Sequence, residues 1–420
     1  MPFQMNEGDL SPDSLSGSLE QPDIVTMFFS LSVYIGLAFI LFIFALDEMN
    51  KSRLRIYRLH NVKRTFVTFN ILAICMLFAL VVGIRYNVGV DNVSYIEAYK
   101  YYQDTGKLSR SDLEPLFLGV RSLFANSGLH YSIFNGFWGL IEILFILLAL
   151  RKERYLYPVT VVYVILGPIF THWTNGVRQC VATCIFIFLI QYIADKKFIK
   201  YLIGILICSL IHKSALILLP LYFIFLKTPK FNNKGWLLSV ILILCAVLGS
   251  VPVWVSSLNG ISNYLEILGY EQYENFFDNI SLSETENMSW GPGRIGLFFS
   301  SLISVYLFPK IKNRFDLDKR FDIYFALFFT GCCLFNLLAN TSHILLRPVY
   351  YLYDLRIIII PATIYYLYKL KKYPIFLIAC ILAYFNNPYL TFRAYQQGDN
   401  EKSPEVYKTL FTEDKDFNKL

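Results

Sequence analysis

Five short polar blocks carry the side chains able to do chemistry: RYNVGVDNVSY at 85–95, EPLF at 114–117, NGVRQ at 175–179, IHKSA at 211–215 and LLRPVYY at 345–351. Each sets an ionisable group at or near the end of an apolar run, where charge is costly unless something polar binds there. Arg178, Arg347 and Arg294 are planar, permanently charged donors that can grip a phosphate through two parallel bonds. Arg85 ends its own apolar run after Gly83. Snorkelling to lipid headgroups is the structural alternative for each of these arginines. Asp91 and Glu114 are carboxylates that a partly dehydrated cleft can turn into bases towards a hydroxyl. Their structural alternatives are a turn-capping aspartate in GVDN and a helix-start glutamate beside Pro115. His212 can donate to phosphate or shuttle a proton, or simply bond a backbone carbonyl. Gln179 adds a hydrogen-bonding group beside Arg178. Tyr95 and Tyr351, with Tyr99, Tyr101 and Tyr102, offer rings that can stack on sugars or fill the interface.

Arg356 lies deep enough in its segment to need a partner. Asp354 and Tyr353 are its near neighbours, so a structural ion pair is as good a reading as ligand binding. No His-plus-carboxylate spacing on one helix marks a metal site. No GxxxxGK[ST] and no strand-borne GxGxxG marks a nucleotide site. The reading is of a chain that uses no cofactor and no metal, as suits an enzyme whose donor arrives already activated on a lipid. All eight cysteines lie inside apolar runs. Cys180 and Cys184 share a helix face, but nothing there completes a metal site, so the eight read as packed thiols.

The elements that must position these groups are membrane helices. Hydrophobic residues make up 55% of the 420 and charged residues only 16%, with mean hydropathy +0.47. Soluble domains carry roughly a quarter charged residues. The 37 Phe and 30 Tyr suit aromatic belts at both interfaces. The net charge of +7 falls mostly in short loops between apolar spans, a topogenic pattern that does not call for nucleic acid.

Apolar runs at about 24–46, 66–84, 130–150, 155–171, 177–194, 236–256, 294–308, 321–340, 344–368 and 373–390 are candidate crossings. The run at 199–226 is interrupted by His212-Lys213-Ser214. As one helix it would be about 42 Å long, and each half about 20 Å. If the 51–64 loop is cytoplasmic and 199–226 returns to its starting side, six loops on that side hold 23 of the 38 Lys and Arg. A hairpin over 199–226 with His212 at its turn follows. Residues 1–23, acidic and without Lys or Arg, read as a disordered tail and not as a secretory signal. Residues 24–390 then form one polytopic domain with outer loops 85–129 and 257–294. Residues 113–126 form an amphipathic segment along the outer interface. An external tail runs over 391–420, both termini are outside, and every polar block falls on the outer face.

In this order, RYNVGVDNVSYIEAY, EPLF, NGVRQCVA, SLIHKSALILLPLYF and LLRPVYYLY resemble the EpsG/Wzy-type bacterial polysaccharide polymerases. A weaker echo lies around Val406–Phe411. The resemblance implies an all-α polytopic membrane protein of about 11–12 transmembrane helices, a GT-C-like bundle with an outward-facing cavity. It implies an inner-membrane enzyme that passes a growing glycan from undecaprenyl diphosphate to a hydroxyl of an incoming lipid-linked oligosaccharide, without metal or nucleotide. The family's block positions fall on Arg85, Asp91, Tyr95, Glu114, Arg178, Gln179, His212 and Arg347. Pro348 directly after Arg347 departs from a smooth helix and bends the local backbone. Arg178, His212 and Arg347 are expected to hold the donor diphosphate, with Asp91 or Glu114 as base. A chain-length regulator is an expected partner. The alternatives are an O-antigen ligase, a lipid-linked oligosaccharide flippase or other transporter, and a non-catalytic assembly subunit.

Overall fold

In hydrocarbon the backbone must satisfy its own polar groups, so long apolar runs fold as helices. The computed structural model describes residues 24–58, 66–86, 88–109, 113–227, 229, 234–251, 290–340, 343–396 and 406–412. The expected N-terminal tail and all but the end of the 257–294 loop lie outside them. The chain is an all-α membrane protein. Its helices are α1 (Ile24–Arg58), α2 (Phe69–Gly83), α3 (Val90–Thr105), α4 (Pro115–Asn126), α5 (Tyr131–Ala149), α6 (Tyr157–Leu166), α7 (Ile169–Asn175), α8 (Val177–Ala194), α9 (Phe198–Ile211), α10 (Leu221–Ile224) and α11 (Gly235–Gly249). They continue with α12 (Pro292–Phe315), α13 (Arg320–Leu338), α14 (His343–Tyr353), α15 (Arg356–Lys369), α16 (Tyr373–Tyr384) and α17 (Asn386–Gln396).

The all-α polytopic fold is the expected one, but several of the apolar runs form helices too short or too bent to span singly. Among the described residues, five helices are long and apolar enough to span singly, or up to seven spans if each sharply bent pair counts as one. The cause is interruption. Gly167-Pro168 breaks α6 from α7 with a 62° bend, and α16 meets α17 at 45°. Proline cannot donate to the helix ladder. The 199–226 run divides as expected, into α9, a 3-10 turn over Lys213–Leu218, and α10. Tyr201 Oη braces the two arms on the Leu218 carbonyl at 2.6 Å. The 344–368 run is two helices, α14 and α15, parted at Asp354-Leu355. The 85–129 segment, expected as an outer loop, folds largely as α3 and α4. Helix α4 buries Phe117, Arg121 and Ala125, one stripe at fourfold spacing, as the amphipathic pattern predicts.

Helix α8 runs through the middle, with 72% of its span window buried, and it delivers Arg178 and Gln179 at its first turn. Helices α2 and α5 cross at glycines. A Cβ on Gly83 would lie 2.5 Å from the Ser132 carbonyl oxygen, and one on Gly136 would lie 2.8 Å from that of Ala79. At one end of the bundle, ion pairs join the basic loops at 151–154 and 310–320 to each other and to α1. Arg154 pairs with Glu48, and Arg320 Nη2 meets Glu153 Oε1 at 2.6 Å.

Residues 406–412 fold back onto the start of the 85–129 segment. The Tyr407 amide donates to Ser30 Oγ at 2.9 Å, and its hydroxyl donates to the Val81 carbonyl at 2.5 Å. An antiparallel bridge joins Arg85 to Thr409, with the Leu410 amide on the Ile84 carbonyl at 2.9 Å. This tail and the 85–95 block therefore share one side of the bundle.

The α2–α5 crossing tolerates no side chain at position 136. Gly136→Leu is expected to destabilise the protein by about 1–3 kcal/mol, the usual cost of overpacking, read as a lower unfolding midpoint in detergent. An unchanged midpoint would contradict this packing.

Candidate active site

Helix α9 ends at Ile211, and His212 leaves it in an extended conformation (φ −153°, ψ 111°). That turn frees the Lys213 amide from any helical partner. Glu114 precedes Pro115, which opens α4 at a position where proline fits. Its own backbone is extended and its side chain makes no capping bond. The carboxylate is instead aimed at three donors from two other elements. Arg178 Nη1 approaches Oε2 at 2.5 Å. His212 Nδ1 lies 3.1 Å from Oε1, and the Lys213 amide donates to the same oxygen at 3.0 Å.

The cluster extends outward from this carboxylate. Arg178 Nε donates to Tyr95 Oη at 3.4 Å, and its guanidinium lies over the Phe117 ring at 5.8 Å. Gln179 Nε2 donates to the Arg347 carbonyl. Ser214 Oγ and Tyr351 Oη share a hydrogen bond of 3.0 Å. All five polar blocks thus send a residue to one place. Side chains of Arg178 and His212 stay 20% and 16% exposed, enough for a ligand to reach them, whereas Glu114 is buried.

Burial pushes the Glu114 carboxyl up. The hydrogen bond with His212, the charge of Arg178 and the Lys213 amide outweigh it and hold the group down to about 2. A carboxylate so stabilised, with its lone pairs occupied, is a poor proton acceptor. Glu114, expected as a base, is thus an ionised carboxylate engaged by Arg178, His212 and the Lys213 amide. Burial, partly opposed by the Arg178 charge, raises the Tyr95 phenol.

The remaining expected residues divide. Asp91 is exposed in the first turn of α3, one turn from Tyr95, and its amide donates to Asn175 Oδ1 at 3.2 Å. That bond ties α3 to the residue before the α7–α8 turn. The Arg347 side chain is exposed, and α14 runs through Pro348 without ending. Arg85 is wholly buried and is tied to the C-terminal tail through its backbone. Arg294 lies at the start of α12 with its guanidinium 4.3 Å from the Trp290 ring centroid, and is not among the donors to Glu114.

Two positions quoted in the blocks but not singled out prove to matter. The Lys213 amide completes the Glu114 site, and Ser214 meets Tyr351. The loss of apolar character after Ile211 signalled the break; a backbone amide has no sequence signal of its own. Arg356 finds the partners expected of it, Asp354 Oδ1 at 3.0 Å and the Tyr353 ring at 4.2 Å. His172 joins them, with Nε2 3.6 Å from Asp354 Oδ2 and its ring 4.6 Å from that of Tyr350. As a lone histidine in an apolar run, His172 gave no spacing to mark it.

The sequence model of the EpsG family matches residues 68–399, a stretch that contains the whole cluster. No curated protein and no solved structure matches the chain.

Because the folded Glu114 lies below its ordinary value of 4.5, its contribution to stability is complete above that value and is lost as pH falls towards about 2. Glu114→Gln is expected to lower the unfolding midpoint at pH 7 and to flatten the fall between pH 4.5 and pH 3. A variant whose midpoint tracks the wild type across that range would contradict the ionised, buried carboxylate.

Proposed function

The chain belongs to the EpsG family, and from that membership and the geometry of the cluster we propose that it is a polysaccharide polymerase. It transfers a growing glycan from undecaprenyl diphosphate to a hydroxyl of an incoming lipid-linked repeat unit, at the outer face of a bacterial inner membrane. The observation that carries this reading is the joining of Arg178, His212 and the Arg347 segment through Glu114 and Gln179.

The chemistry asks for charge stabilisation more than for a nucleophile. As the anomeric C–O bond breaks, negative charge grows on the departing diphosphate. Arg178 and Arg347 supply two guanidiniums near that charge, and His212 supplies an imidazole held by its Nδ1. The carboxylate–imidazole bond fixes which ring nitrogen is left for substrate, the logic of a supported histidine. Glu114 also takes one of Arg178's donors and leaves others for phosphate oxygens. Because these groups are set before substrate arrives, they stabilise developing charge without reorganising. Of the two carboxylates expected to take the acceptor's proton, Glu114 is engaged by three donors and Asp91 is open to solvent.

Purified protein given undecaprenyl-diphosphate-linked repeat units is expected to build a ladder of lipid-linked glycans. Arg178→Ala is expected to slow it by about 10²–10³, the usual cost of removing a donor to developing charge. A wild-type rate and chain length in Arg178→Ala would overturn the assignment, and glycan delivered to a lipid A core would favour a ligase.

A further inference from the structure

The grouping at Glu114, an imidazole and a guanidinium on either oxygen of one carboxylate, recurs more loosely at Asp354. In the first set, an imidazole meets one carboxylate oxygen (His212 Nδ1 to Glu114 Oε1, 3.1 Å) and a guanidinium meets the other (Arg178 Nη1 to Oε2, 2.5 Å). In the second, His172 Nε2 lies 3.6 Å from Asp354 Oδ2 while Arg356 Nη2 lies 3.0 Å from Asp354 Oδ1. The two sets share their supports. His172 precedes Arg178 by six residues across the α7–α8 turn, and the Cys180 thiol of α8 contacts the His172 carbonyl at 3.6 Å. On α14, Arg347, Tyr350 and Tyr351 lie on the stripe that leads one turn further to Asp354. The α7–α8 turn and α14 thus carry residues of both sets.

The two sets differ in what they offer a ligand. The first presents cations: the Arg178 and His212 side chains are partly exposed, and the Lys213 and Arg347 side chains are exposed. In the second, Asp354 is wholly buried and the Arg356 side chain is 4% exposed, its guanidinium stacked on Tyr353. Asp354 and Arg356 offset each other's charge. His172, a quarter exposed at its side chain, is the reachable member. Among the described residues, His172 Nε2 and Asp354 Oδ2 have no hydrogen-bond partner. Such a group at this depth in a membrane protein marks function more often than stability.

We propose that His172 is the base that takes the proton of the acceptor hydroxyl, with Asp354 and Arg356 as its positioning residues. This rests on the polymerase reading above and assigns the donor to the first set and the acceptor to the second. The acceptor's O–H bond breaks and its proton passes to the imidazole. The acceptor oxygen bonds to the anomeric carbon, and the C–O bond to the diphosphate breaks with its electron pair leaving on the diphosphate. A positive first set suits the leaving anion, and a charge-balanced second set leaves the imidazole neutral and able to accept.

The test uses full-length protein and its lipid-linked repeat unit, with polymerisation rate and equilibrium binding of that unit measured separately. His172→Gln is expected to lower kcat by about 10²–10⁴, the range for loss of a general base, while binding of the lipid-linked unit stays at the wild-type value. Asp354→Asn is expected to lower kcat in the same direction, but it alters a buried ion pair and can misfold. The partly exposed His172→Gln, with an unfolding midpoint matching wild type, therefore decides. A wild-type kcat in His172→Gln overturns the proposal, as does an equal loss of binding and kcat, or the full kcat loss appearing in Asp91→Asn instead. Polymer made by the wild type and equally by His172→Gln would sink this assignment alone. No polymer from the wild type would sink the polymerase reading with it.

Discussion

An ionised carboxylate with little access to water governs one half of this protein. Glu114 keeps 6% of its side chain exposed, and a charge so desolvated persists only where opposite charge and hydrogen bonds surround it. Its donors come from the first turn of α8 and from the break after α9. Satisfying that one group therefore fixes α4, α8 and α9 relative to each other. Removing any donor leaves the others holding a charge they cannot fully offset.

Helix breaks supply the polar groups that such a site needs. Irregular backbone at membrane depth is tolerated where protein buries it or it lines a polar cavity. Three interruptions meet that condition here. The break at His212 frees an amide for Glu114. The Gly167-Pro168 break turns α7 so that His172 and Asn175 face Asp354 and Asp91. The break at Asp354-Leu355 sets Arg356 beside its partner. These interruptions are also why fewer helices reach full spanning length than the count of apolar runs implied. The tail over 406–412 then closes against α1 and the end of α2, and it holds the chain at the point where it leaves the bundle for α3.

Much of this was legible in the sequence. Composition and apolar runs specified a helical membrane protein, and charge at the ends of those runs marked the five blocks that converge. The interruption by His212-Lys213-Ser214 marked the place where the 199–226 run breaks. Asp354 and Tyr353 were the correct partners for Arg356 because they are its chain neighbours. Three features were not legible. Arg85 carries the same chemistry as Arg178, but what distinguishes them is a tail more than 300 residues away pairing with one of them. Glu114 and Asp91 looked equivalent as bases, since only three-dimensional proximity shows that three donors already hold one of them. His172 is separated from Asp354 by 182 positions in the chain, so no local spacing links them.

The central claim is that Glu114, His212 and Arg178 act as one unit. A double-mutant cycle in the polymerisation assay tests it directly, using Glu114→Gln, His212→Gln and the two together. Residues that act as a unit lose activity non-additively, so the double variant is predicted to be no slower than the slower single one. Losses that multiply, each variant contributing its full factor independently, would contradict the account.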